Sequence, residues 1–175
     1  RIILMNTSGF ALPPSKPFPL ALTLSRTPWL GDILIRGFNA FALTASWIGC
    51  KYQRMSPTLR RAYRAPYANW AQRRAVHRFV QDIPLSAKDP SWATVNFTDR
   101  HLESLKDKPM QIIWGEKDFI FDRHFLAEWR ARMPQAEIHS YPNAGHYILE
   151  DLGDEAIDLM KDFLNRHPLE ARVYH

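Results

Sequence analysis

The chain has 175 residues, 46% of them hydrophobic, enough for one ordinary core or a core with an insertion. Its longest apolar run is bracketed by Arg36 and Lys51 and falls short of the roughly 18–20 residues of a membrane span, and its lone cysteine, Cys50, excludes an internal disulfide. The net charge of +5 is uneven: residues 33–81 hold nine Lys or Arg and no acid, while the remainder carries 14 basic and 18 acidic residues. Such a stretch is either a solvated helical face or a surface that steers an anionic partner. Nucleic acid is not expected, because its aromatics lie in apolar helical patterns and no nucleic-acid motif accompanies them.

"RIILMN" reads as a short buried strand ending in polar turn residues. The chain starts in an apolar run without methionine, so the expectation is a C-terminal piece of a longer protein. "ALPPSKPFP", with four prolines in nine residues, is a boundary. Helical patterns follow at roughly 29–48, 57–64, 68–81 and 91–105. Ser56 caps the second with Pro57 at its first position, and the third groups Trp70, Val76, Phe79 and Val80 on one face. "MQIIWG" is a second strand, "FDRHFLAEWRAR" a helix and "AEIHSY" a third strand. "LEDLGDEAIDLMKDFLNR" is a long amphipathic helix with Ile157, Met160, Phe163 and Leu164 inward. Strand–helix–strand–helix with short connections implies parallel strands. The expected layout is an α/β core from 1–10 and 108–175, interrupted by a helical insertion at 11–107.

Two turns, "WGEKDFIFD" and "PNAGHYILED", follow adjacent parallel strands at their carboxyl ends, where open sheets form sites. An aspartate on one and a histidine on the other can meet, the carboxylate fixing the imidazole tautomer and stabilising its protonated form. Asp118 and His146 are the natural pair. Asp118 alone also fits turn chemistry, although Asp122 is the better cap for the next helix. His77, His101, His124, His139, His167 and His175 read as structural or exposed. Ser8 reads as a turn residue, because a proline-rich loop follows it and no nucleophile-elbow pattern exists. With no metal-ligand spacing and no phosphate-cradling glycine loop, neither a metal nor another cofactor is expected. Cys50, among aliphatic residues, reads as buried and inert.

The tail "IIWGEKDFIFDRHFLAEWRARMPQAEIHSYPNAGHYILED" resembles the haloalkane dehalogenase and epoxide hydrolase branch of the α/β-hydrolase fold, from its sixth core strand onward. The resemblance implies that Asp118 is the catalytic acid, His146 the base, and 11–107 a lid. Some dehalogenases carry the acid as glutamate after the sixth strand; here that place holds Asn6, which leaves Asp118. "YRAPYANWAQRRAVHRFVQDIPL", residues 63–85, resembles the β-lactone decarboxylases of olefin biosynthesis. This implies a cytoplasmic enzyme that converts a long-chain β-lactone to a cis-alkene and carbon dioxide, using an aspartate nucleophile upstream of Arg1. The 175 residues alone are then expected to be inactive. Trp29, Phe38, Phe41 and Trp47 are candidate contacts for an apolar substrate, although any lid needs an apolar underside.

The competing expectations are a haloalkane dehalogenase, an epoxide hydrolase using Tyr52, Tyr63 or Tyr67 as proton donor, or a scaffold that kept the fold without catalysis. The basic lid is a candidate docking face for partner enzymes of a biosynthetic complex. Charge reversal of Arg60, Arg61 and Arg64 is expected to weaken complex formation in a pull-down, and unchanged association would end that idea.

Overall fold

Residues 1–169 are described by a computed structural model; His175 lies outside them. Three strands form a parallel sheet in the order β1 (Ile2–Met5), β2 (Met110–Gly115), β3 (Glu137–Tyr141). Ile3 lies opposite Gln111, and Ile113 opposite His139. β2 is buried along its whole length, and its side chains alternate between two cores as a pleated strand requires. Met110, Ile112 and Trp114 join Phe10, Leu102, Phe125, Leu126 and Trp129 on one face. Ile113 joins Ala144, Ile148, Leu152 and Ala156 on the other. The first face is covered by α7 (Arg123–Arg132), the second by α8 (Ile148–Leu152) and α9 (Asp154–Arg166). This is the α/β architecture expected from the sequence.

Between β1 and β2 the chain is helical: α1 (Leu20–Arg26), α2 (Pro28–Gly31), a π-helical stretch (Asp32–Gly37), α3 (Ala40–Ile48), α4 (Pro57–Arg64), α5 (Arg74–Gln81) and α6 (Trp92–His101). A small core of its own, Leu22, Ile35 and Val80, holds α1, the π-helical stretch and α5 together. Ser56 caps α4 as expected, its hydroxyl accepting from the Leu59 N–H at 3.1 Å. Arg73 braces the insertion by donating to the carbonyls of Arg36, Gly37, Tyr67 and Ala68. Leu102, near the insertion's end, packs in the main core beside the sheet.

Three helices are shorter than their periodicity suggests. The pattern at 29–48 is interrupted at Asn39, whose φ of 53° is left-handed, a conformation asparagine tolerates better than most residues. The pattern at 68–81 is helical only from Arg74. Before it, the Gln72 side chain accepts from the N–H groups of Ala68 and Asn69, and Asn69 accepts from Gln72, so side chains take the donors a helix would use. Val80 of its expected apolar face is buried, whereas Trp70 and Phe79 are exposed. The C-terminal helix breaks at Gly153, with φ of 56°, which glycine adopts without a Cβ clash. Beyond the break the inward stripe is Ala156, Leu159, Met160 and Phe163, while Ile157 turns outward.

That phase is testable. Phe163→Ala is expected to destabilise by about 3–5 kcal/mol in urea unfolding, and Ile157→Ala by less than about 1 kcal/mol. Equal losses would contradict the placement of the stripe.

Candidate active site

Each strand delivers one polar residue to a common point at its carboxyl end. β1 runs into Asn6, buried and left-handed with φ of 30°. Its amide nitrogen donates to the carbonyls of Gly115 at 3.0 Å and Phe121 at 3.2 Å and to Asp118 Oδ2 at 2.9 Å, while its oxygen accepts from the Gly115 N–H at 2.8 Å. β2 runs into the turn bearing Asp118, whose side chain has no exposed surface. Asp118 Oδ1 accepts from the Ile120 N–H at 2.7 Å, so the carboxylate shapes its own turn. Its Oδ2 lies 2.8 Å from Nδ1 of His146, from the turn after β3. Asp122 caps α7 through the His124 N–H, as expected, and also pairs with Lys16 at 2.7 Å.

With Nδ1–H donating to Asp118, the lone pair of the neutral imidazole sits on Nε2. The ring keeps 27% of its side-chain surface exposed, lies near the rings of Phe119, Phe121 and Tyr147, and lines a cavity of about 420 Å³. The cavity wall is mainly aliphatic and aromatic, with Leu22, Phe41, Val80, Leu85 and Val95 among its residues. An imidazole held in one tautomer against an apolar chamber can exchange a proton with a molecule bound there.

Gly145 has a specific steric reason. A Cβ there would meet the Gly49 carbonyl oxygen at 2.3 Å, and one on Gly49 would meet the Tyr147 ring at the same distance. The histidine turn is thus pressed against the α3–α4 connection. Asp151, 1% exposed, secures that contact by accepting from the N–H groups of Gly145, Lys51, Tyr52 and Gln53 at 2.6–2.8 Å. Tyr147 adds an N–H bond to the Gly49 carbonyl at 3.2 Å.

Among the aromatic residues singled out in the insertion, Phe41 faces the cavity. Trp29, Phe38 and Trp47 are 68%, 69% and 60% exposed and line neither described cavity; in α3, which begins after the break at Asn39, the buried residues include Ala42 and Ala45 rather than Trp47. Trp47 is instead covered by the Arg60 guanidinium, 3.8 Å above its ring. Tyr63 and Tyr67 line a second cavity, and Tyr52 is exposed. The Ser8 hydroxyl bonds the Phe10 backbone, consistent with a turn role. His77, buried beside Asp32, has an unpartnered Nε2. No group of three or more potential metal ligands occurs among the described residues, and no helix among them is long and apolar enough to cross a membrane.

Sequence reasoning missed Asn6 as a donor to Asp118, and it missed Asp151 and Gly49 altogether. Asn6 was marked by its place, directly after a buried strand at the sheet edge carrying the other two residues. Nothing in the sequence marks Asp151 off from Glu150. Cys50, beside this junction, is buried as expected; burial first, then the carboxylates of Asp151 and Glu150, push its thiol up to about 12. The thiol therefore stays protonated at pH 8. Iodoacetamide is expected to leave Cys50 unmodified at that pH until denaturant is added, and rapid labelling of the folded protein would show the junction to be open.

No protein-family profile matches the chain. Two curated proteins are similar to it, both named cis-3-alkyl-4-alkyloxetan-2-one decarboxylase. The one from Shewanella oneidensis is 47% identical over 94% of this chain and 52% of its own length. The one from Xanthomonas campestris is 44% identical over 97% of this chain and 56% of its own length. The chain thus spans about half the length of these relatives. Among solved structures, the haloalkane dehalogenase DatA from Agrobacterium tumefaciens superposes with a TM-score of 0.69 at 20% identity, over 83% of this chain and 50% of that one. An α/β-hydrolase fold protein from Burkholderia ambifaria gives 0.65 at 18%, over 91% and 54%. With its parallel sheet, flanking helices and these structural neighbours, the chain belongs to the α/β-hydrolase fold, and nearly all of it is similar to one part of the two decarboxylases.

Proposed function

We propose that this chain carries the acid–base half of a β-lactone decarboxylase, with His146 as proton-transfer residue, Asp118 as its orienting carboxylate, and an aspartate nucleophile supplied from outside these 175 residues. The observation that carries the proposal is the 2.8 Å contact between Asp118 and His146 Nδ1 at the wall of an apolar cavity. The similarity to two proteins named for cis-3-alkyl-4-alkyloxetan-2-one, which is a disubstituted β-lactone, supports this substrate class. The overall reaction divides the lactone into a cis-alkene and carbon dioxide without net water or protons. A proton moved by His146 is therefore returned within each turnover. An apolar chamber suits such a reaction, because water reaching a covalent ester would divert it to a hydroxy acid.

The apolar lining equally suits haloalkanes, and the fold is shared with dehalogenases; the sequence similarity of 44–47% favours the decarboxylase. Arg60 and the exposed Trp47 beneath it belong to the basic face that we assign to partner docking. In the complete gene product, His146→Ala and Asp118→Asn are each expected to slow alkene formation from a cis-β-lactone on the order of 10²–10⁴-fold. Halide release from haloalkanes without alkene formation from the lactone would assign the dehalogenase reaction. Unchanged cellular function in His146→Ala would assign a scaffold.

A further inference from the structure

Two cavities, not one, meet at the histidine turn. The 420 Å³ cavity has His146 in its wall, and a second of about 510 Å³ has Tyr147, the next residue. Consecutive residues of one turn, with Cα atoms about 3.8 Å apart, thus line the two chambers. Phe41 lines both and forms part of the partition. The second cavity lies between α3, α4 and the turn after α4, and small side chains, Ala45 and Ala62, leave its space open. Each chamber falls within the range of about 300–1,000 Å³ common for small-molecule sites.

The chambers differ in lining. The first combines aliphatic residues such as Leu22, Val80, Leu85 and Val95 with phenylalanines, and has no tyrosine. The second is ringed by the phenols of Tyr63, Tyr67 and Tyr147. Burial raises the Tyr147 phenol above its ordinary value; burial and then the Glu150 hydrogen bond raise that of Tyr63 further, so both remain uncharged at neutral pH. Tyr63 spends its proton on Glu150 at 2.9 Å, which leaves its ring as the surface facing the chamber. Both chambers are thus lined mainly by apolar and aromatic side chains.

A single linear substrate needs one such chamber. A β-lactone substituted at two adjacent ring carbons has two arms that begin one bond apart and diverge. We propose that the two chambers are separate sites for the two alkyl arms of one β-lactone, with Phe41 between the arms and the ring held at His146. The inference rests on the decarboxylase reading and adds to it that arm length is selected independently at each ring carbon.

The test uses the complete gene product and two cis-β-lactones of equal carbon count, one with its long arm at C3 and the other with its long arm at C4. Ala62→Phe narrows the second chamber from an exposed helical position, and Val95→Phe narrows the first from a partly buried one. The expected result is a crossed pattern: each substitution lowers kcat/KM about tenfold or more for one isomer and spares the other, and the two substitutions have opposite preferences. Circular dichroism spectra matching the unsubstituted protein verify folding; a variant that fails this check is replaced by Ala62→Leu or Val95→Leu. Equal losses on both isomers, or none on either, would overturn the two-chamber inference while leaving the decarboxylase reading intact. If the unsubstituted protein converted neither isomer to alkene, that reading would fall and the inference with it.

Discussion

Asp151 is the interaction on which the site's construction depends. Its carboxylate is almost wholly buried, and its two oxygens accept four backbone N–H groups, three from residues 51–53 of the helical insertion and one from Gly145. A buried carboxylate without such donors would bear a desolvation cost of several kcal/mol, and charge-assisted bonds of this kind are about twice as strong as neutral ones. The insertion and the histidine turn therefore share one anion. Separating them strands either the charge or the N–H groups.

The glycines follow from that clamp. Once Asp151 draws the α3–α4 connection onto the turn after β3, the Gly49 and Gly145 backbones approach too closely for a side chain on either. Gly115, at the end of β2, is pressed against Ala144 and Gly145 in the same way. Three glycines from distant parts of the sequence are thus stacked where the insertion meets the sheet. None has a positive φ, so what they supply is absence of volume rather than backbone freedom. His146, the residue after Gly145, lines the cavity beside this layer.

The architecture was legible because its signals are local. The strands at 2–5, 110–115 and 137–141 are apolar runs bounded by turn residues, and the pairing of Asp118 with His146 followed from placing their turns on adjacent parallel strands. The helical insertion was legible as helical but not in phase. Trp29, Phe38 and Trp47 looked equivalent to Phe41 by composition, yet a π-helical stretch and one left-handed asparagine separate the segment into pieces with different faces. The basic stretch was similarly ambiguous. Arg73 is consumed by four carbonyls, Arg36 pairs with Asp32 and lies over Trp70, and Arg60 lies over Trp47. Periodicity reports which residues are apolar; it does not report which backbone breaks or carbonyls will redirect them.

Asn6 shows how one strand end constrains the next. Its amide nitrogen reaches the same Asp118 oxygen that faces His146, at 2.9 and 2.8 Å respectively. A carboxylate at this place would set two like charges at hydrogen-bond distance in a buried site, and one would have to take up a proton. That proton would be shared with the atom meant to hold the imidazole, weakening its hold on the Nδ1 tautomer. An amide avoids the conflict: it offers donors to Asp118, to Gly115 and to Phe121, and takes the Gly115 N–H in return. The sheet edge thus carries a single carboxylate among its three polar residues, and the asparagine donates to it. The residue that sequence alone rules out as a carboxylate is, in the fold, a neutral donor to the same Asp118 oxygen that faces the histidine.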